Sequence, residues 1–358
     1  MYSLIFGTML AISLGPVGAD PAREPQLAAH GSFVAMTFGA GGSIYFAASK
    51  DAGKTFSNPI RVSEAMIVPL NRHRGPRIAI SGDTIVITAV TGRTPSHEQH
   101  AHGLPSDGDL IAWRSTDNGR TWSKGIVVND VPGAPTEGLH SLAAADNGSL
   151  FAAWLDNRTG KGTQLYGARS TDGGIAWTKS VLLYQSPEGT ICECCHPSVA
   201  IDATGRIAVM WRNWLDGSRD MYVIRSDDGT SFSKPLKLGA GTWKLNACPM
   251  DGGGLAFVQG RLVSAWRRDH SIFLASPGET EKEIGEGTDV ALSAGAQGVY
   301  AIWSTSSGIR ALVPGHRGSL SISSKGSFPS IVALPTGGAL AVWEEEGKIN
   351  VQAVQQVP

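Results

Sequence analysis

Charge is scarce in this chain. Of 358 residues only 17% are Asp, Glu, Lys or Arg, with 30 basic against 31 acidic groups and a formal net charge of −1. Such a balance leaves no electrostatic footprint for nucleic acid or for an anionic membrane surface. There is no heptad pattern, charge block or low-complexity tail, and beyond the N-terminus no apolar stretch is long enough to span a bilayer. Amphipathic helices of useful length are also missing, which excludes helical bundles and α/β architectures.

What the chain has instead is turns. Its 45 glycines punctuate short apolar runs rich in Val, Ile and Ala, the composition of β-strands. Seven runs begin a repeating unit: Pro25–Ala29, Pro76–Ile80, His140–Ala144, Pro197–Ile201, Gly253–Phe257, Asp289–Leu292 and Pro329–Ala333. Each is followed by a Gly- or Asp-bearing turn and a second run, and five of these end in Trp: Trp154, Trp211, Trp266, Trp303 and Trp343. Their expected place is between neighbouring sheets. Four units then carry a variant of Ser-x-Asp-x-Gly-x-Thr-Trp, at Ser49–Phe56, Ser115–Trp122, Ser170–Trp177 and the shortened Ser226–Phe232. An Asp followed by Gly suits a tight turn, because the carboxylate bonds nearby N–H groups and Gly accepts positive φ.

This octapeptide resembles the Asp-box of the sialidase-like β-propellers, with Asp51, Asp117, Asp172 and Asp228 as the box aspartates. The resemblance implies an all-β fold, a single propeller of four-stranded antiparallel blades over residues 20–358. Seven blades are counted, where six is usual in that family. Radial repetition is a standard way for such sheets to hide their edges. The seventh unit lacks a fourth strand of its own, so closure is expected to borrow one near Asp20 to Arg23 or to reduce the blade count. Ahead of it, the apolar run Leu4 to Leu14 and the small residues Val17-Gly18-Ala19 read as a signal peptide over residues 1–19. The expected location is therefore the periplasm or the exterior.

Propeller geometry sorts residues by face. Loops entering first strands and loops leaving second strands share one mouth, and the box hairpins lie at the opposite end. At the mouth fall His73 and Arg74, Glu137 and His140, the Cys192–His196 run, Cys248, Met250 and Asp251, as well as Asp156, Arg212, Trp214, Arg267 and Glu344. Sialidases clamp a substrate carboxylate with three arginines, since planar guanidinium groups match it bidentately. The resemblance implies that Arg74, in Arg74-Gly75-Pro76, is the first, with Arg212 and Arg267 as the others. Glu137, Asp156 and Asp251 are the candidate catalytic carboxyls, and Trp214 and Trp243 the candidate stacking platforms. The family also uses a Tyr nucleophile, for which no residue is assignable here. The implied activity is exo-hydrolysis of acidic, sialic-acid-like glycans by a monomer without a cofactor. A non-catalytic propeller that binds carbohydrate, a partner protein or a metal is the alternative.

Cysteine supplies that alternative. Cys192, Cys194, Cys195 and Cys248 all fall at adjacent first-strand entrances. In an exported chain two disulfides are expected, with Cys248 bonded to one of the other three. A copper or zinc site built from Cys192, Cys194, Cys195, His196 and Cys248 is the competing reading. The His97-Glu98-Gln99-His100-Ala101-His102 loop reads as solvated, with metal binding as its sharper alternative.

Overall fold

Alternating short runs and turns of this kind can only form hairpins, and the chain makes them in sequence. A computed structural model describes residues 12–15, 17–64, 66–96 and 103–355. The seven first strands are Arg23–His30, Arg77–Ser81, His140–Ala144, Ser198–Ile201, Gly253–Val258, Thr288–Gly295 and Ser327–Ala333. Each opens a four-stranded antiparallel sheet. Every first strand touches the first strand of the next sheet, and the seventh returns to the first, so the seven blades close a ring. Among the described residues no helix is long and apolar enough to cross a membrane.

The core is divided among the blade interfaces. Seven apolar clusters lie one between each adjacent pair of blades. All five second-strand tryptophans are buried in them, as their recurring position predicts. A propeller thus has no single centre to its core. Each blade is held by burial against two neighbours, and the axis is left for polar groups.

The last blade closes with Ile12–Leu14, which pairs antiparallel with Lys348–Val354 through Ile12↔Val351 and Leu14↔Ile349. The expected lender near Asp20 is not used. Asp20 instead bridges to Val17, and Arg23 already starts blade 1. Leu14 has the apolar partners that Asp20 lacks, packing with Leu27, Leu340 and Ile349. This strand falls within the segment read as a leader.

The boxes are built alike. In the second, Ser115 Oγ donates to Asp117 Oδ1 and accepts the Gly119 N–H, while Thr121 gives both its N–H and its hydroxyl to the Asp117 carboxylate. Asn118 and Gly119 take φ of 60° and 81°, which explains the glycine. Trp122 folds back edge-on against Phe46 of the preceding blade.

Candidate functional site at the ring mouth

Three first strands begin with the same irregularity. Register shifts between Arg23 and Gln26, Thr288 and Ala291, and Ser327 and Ser330 mark bulges. The bulged residues Glu24, Asp289 and Phe328 have φ of 54°, 58° and 48°. His73 and Met250, in the loops entering blades 2 and 5, share this left-handed geometry at 65° and 56°. Non-glycine residues rarely adopt it, and such strain concentrates where side chains must be re-aimed.

The result is a chain of contacts around the axis. Glu344 Oε1 accepts the Glu24 N–H at 2.5 Å, and Glu24 Oε1 accepts the His73 N–H at 3.0 Å. His73 Nε2 meets Asp289 Oδ1 at 2.8 Å, and the Asp289 N–H donates to Asp251 Oδ2 at 3.1 Å. Arg267 Nη1 lies 3.5 Å from Asp251 Oδ2. The His73 ring rests against His196, centroids 4.5 Å apart, and edge-on to Phe328. Blades 7, 1, 2, 6, 5 and 4 all contribute. Behind them a cavity of about 260 Å³ runs down the axis, lined in part by Arg77, Ser141, His196 and Ser198.

Burial sorts the carboxyls at this mouth. It raises Glu344 to about 7, with the Glu24 carboxyl adding repulsion against the opposing Glu24 N–H and Arg23. Glu24 and Asp251 are also pushed up, chiefly by burial. Asp289 moves the other way: burial opposes it, yet the hydrogen bond and charge of His73 hold it below the usual range. His73 is raised despite its burial because Asp289 and Glu24 face it. Glu344 thus gives up its proton only around neutrality, while Asp289 is ionised below the usual carboxylate range.

The arginines expected to form a clamp are largely engaged by groups of the protein itself. Arg212 is buried and donates Nε to Asp251 O, Nη1 to Arg219 O and Nη2 to Arg267 O, at 3.1, 2.7 and 2.9 Å. It fastens loops. Arg74, also buried, gives Nε to the Glu137 carbonyl and Nη2 to the Glu137 carboxylate. Its Nη1 is buried without a hydrogen-bond partner. Arg267 donates Nε to Asp269 O and sits on Trp243. Trp243 also carries Arg212, and Trp214 carries Arg219, so both tryptophan faces proposed for sugar stacking hold guanidinium groups.

Asp156 is no candidate acid. It is fully buried, and its oxygens accept from Trp154 Nε1 and from Arg158 N, Nε and Nη2. No tyrosine of the described residues joins the mouth cluster; Tyr184, for instance, accepts from Asn213 at the end of an outer strand. Glu24, Asp289 and Glu344 meet at the mouth instead. The available signal was the repeated second position of a first strand, in Glu24-Pro25, Asp289-Val290 and Phe328-Pro329.

The cysteines are free thiols, which corrects the expected disulfide pairs. The turn over Cys192–Cys195 gathers three sulfurs, with Sγ separations of 3.1, 3.7 and 4.0 Å. Cys248 is exposed, and His196 faces Gly253 O and His73, so neither joins them. His97, His100 and His102 lie outside the described residues. The other close group of potential ligands, His73, Asp251 and Asp289, is already knit by the ion pair and hydrogen bonds above.

Known proteins support this picture at the level of fold. The Hadza microbial sialidase Hz136 superposes with a TM-score of 0.55 at 16% identity, over 94% of this chain and 66% of that one. The chain therefore spans just under two thirds of that protein. A Penicillium chrysogenum α-L-arabinanase gives 0.54 at 12% identity over 96% and 98% of the two chains, and an intramolecular trans-sialidase from Ruminococcus gnavus 0.54 at 13% over 93% and 94%. No curated protein sequence matches significantly. A family model described as a BNR repeat-like domain matches residues 79–260, half of the chain, and with the boxes and the closed ring this shows that the protein belongs to the BNR repeat-like, sialidase-like propeller family.

Proposed function

We propose that the protein is a glycoside hydrolase that works at the carboxyl-rich mouth, with Glu344 as the proton donor and Asp289 as the ionised carboxylate. The observation that carries this reading is the contact chain that gathers both carboxyls at one mouth through Glu24 and His73, where burial pushes Glu344 up and His73 holds Asp289 down. Glycosidases need such a pair, an acid held protonated and a second carboxylate that stabilises the oxocarbenium-like transition state. Propellers of similar fold include sialidases and an arabinanase, which favours carbohydrate as the substrate class.

A neutral sugar suits the mouth better than an acidic one. Glu24, Asp251, Asp289 and Glu344 converge there, whereas Arg212 has its donors on backbone carbonyls. A second reading, an acidic glycan, is favoured by the buried, unpartnered Nη1 of Arg74. Paired chromogenic substrates separate the two. Turnover of neutral glycosides such as an α-L-arabinofuranoside, with kcat falling about 10²–10⁴-fold in Glu344→Gln, supports the first reading. Turnover of a sialoside that is lost in Arg74→Ala supports the second. No turnover across either panel removes the enzymatic reading and leaves a glycan-binding propeller.

Export belongs to the same reading, on the apolar run Leu4 to Leu14. The N-terminus of protein recovered from its native host tests it. A chain starting at Asp20 would have lost the Ile12–Leu14 strand and exposed the edge at Val351.

A further inference from the structure

The hydrolytic reading makes no use of the thiols at Cys192, Cys194 and Cys195. We propose that these three form a three-coordinate thiolate site for a soft monovalent cation, with Cu(I) as the fitting ion. The sulfurs are buried and mark an acute triangle. A point equidistant from all three lies about 2.1 Å from each sulfur, close to the ~2.3 Å of a metal–thiolate bond. A cation at bonding distance would sit about 0.9 Å out of the sulfur plane, with little movement of the turn.

The surroundings are prepared for negative charge. Arg219 Nη1 donates to Cys192 Sγ at 3.1 Å. The buried Arg212 adds its charge beside Cys192, and the buried Arg74 does so beside Cys194. Neutral buried thiols behave as small apolar groups and need no guanidinium partners. Three cations around three sulfurs offset the anionic charge of a tris-thiolate complex that holds a monovalent ion.

The choice of ion follows from the remaining neighbours. Structural zinc takes four ligands, yet His196 is turned to Gly253 O and Cys248 is exposed. The side chain that packs on the triad is Met250. Its thioether is a soft donor that suits Cu(I). A pair of disulfides would require the exposed Cys248 to reach a buried sulfur.

The test uses the reduced full chain under anaerobic conditions, titrated with Cu(I) against a chromophoric chelator. Copper-edge X-ray absorption of the loaded protein follows. The wild type should withdraw one equivalent of Cu(I) and show three sulfur neighbours at about 2.3 Å from the copper. Cys248→Ser should keep the stoichiometry, Cys194→Ser should lose it, and Arg219→Gln should weaken binding about 10- to 100-fold. If Cys194→Ser does not fold, the copper spectra of the wild type and of Cys248→Ser decide alone. The proposal is overturned if the protein withdraws no Cu(I), if the copper lacks three sulfur neighbours, if Zn(II) displaces it, or if Cys248→Ser abolishes binding.

Discussion

The two faces of the ring are held by hydrogen bonds of opposite reach. On the box face, Ser115, Asp117, Gly119 and Thr121 bond one another across two to four residues, and the same pattern recurs from Ser49 to Thr55. At the mouth, Glu24 meets Glu344 across 320 residues and His73 meets Asp289 across 216. A local device can be copied blade by blade, whereas a long-range one forms only when the ring closes. Outer strands vary from blade to blade: Lys282–Glu286 and Ser319–Ser323 in blades 5 and 6 have five residues, Val181–Tyr184 in boxed blade 3 has four, Ile12–Leu14 in blade 7 has three, and Ile60–Arg61, Ile126–Val127 and Leu236–Lys237 in the other boxed blades have two.

The largest expected break in this contrast is at the mouth. His73→Ala removes one partner of a largely buried ion pair and leaves the Asp289 carboxylate uncompensated, which should cost about 3–5 kcal/mol in denaturant unfolding. A loss below that of a box variant would show that the mouth contacts are not what holds the ring at its axis.

Protonation should distinguish the faces next. Glu344 titrates at about 7 in the fold against an ordinary 4.5, so between those values the folded chain holds a proton that the unfolded chain has released. Its share of the stability should therefore fall by about 3 kcal/mol as pH rises through that window, and Glu344→Gln should flatten the slope by that share, leaving what Glu24, Asp251 and His73 contribute. The boxes respond at the other end. Asp51 and Asp117 are held at about 2, from 3.8, largely by the Thr55 and Thr121 hydroxyls. Their contribution is present above the ordinary value and is lost as pH falls towards 2. Melting curves across acid and neutral pH that show one slope without the other would break the comparison.

The smallest effect is expected within a single box. Ser115→Ala deprives the Gly119 N–H of its acceptor in a buried turn, a loss of about 1–3 kcal/mol. The equivalent Ser226→Ala in the shortened fourth box should cost the same or less. A much larger loss would mean that the boxes couple blades as well as closing their own hairpins.

Much of the fold was legible because its signals are local. Strand starts, turns, boxes and interblade tryptophans each follow from a few adjacent residues, and the structure has seven first strands where seven runs were counted. The site was less legible. Arg212 and Asp156 had the right chemistry at the right face, yet nearby carbonyls and Arg158 already occupy them. Asp289 read as the opening of an ordinary strand and Glu24 fell just ahead of one at Pro25, because a bulge that turns a side chain to the axis leaves no mark in apolar periodicity.

By itself, the sequence determined the repeating unit: hydrophobic alternation and Asp-Gly turns specify hairpins through contacts a few residues long. Only the tertiary structure decided which polar residues meet. Closure brings blade 7 against blade 1, with Ile12–Leu14 as the outer strand of blade 7, and sets Glu344 on Glu24 and His73 on Asp289. The environment that shifts these groups is made by residues hundreds of positions away, and burial exists only after the ring has formed.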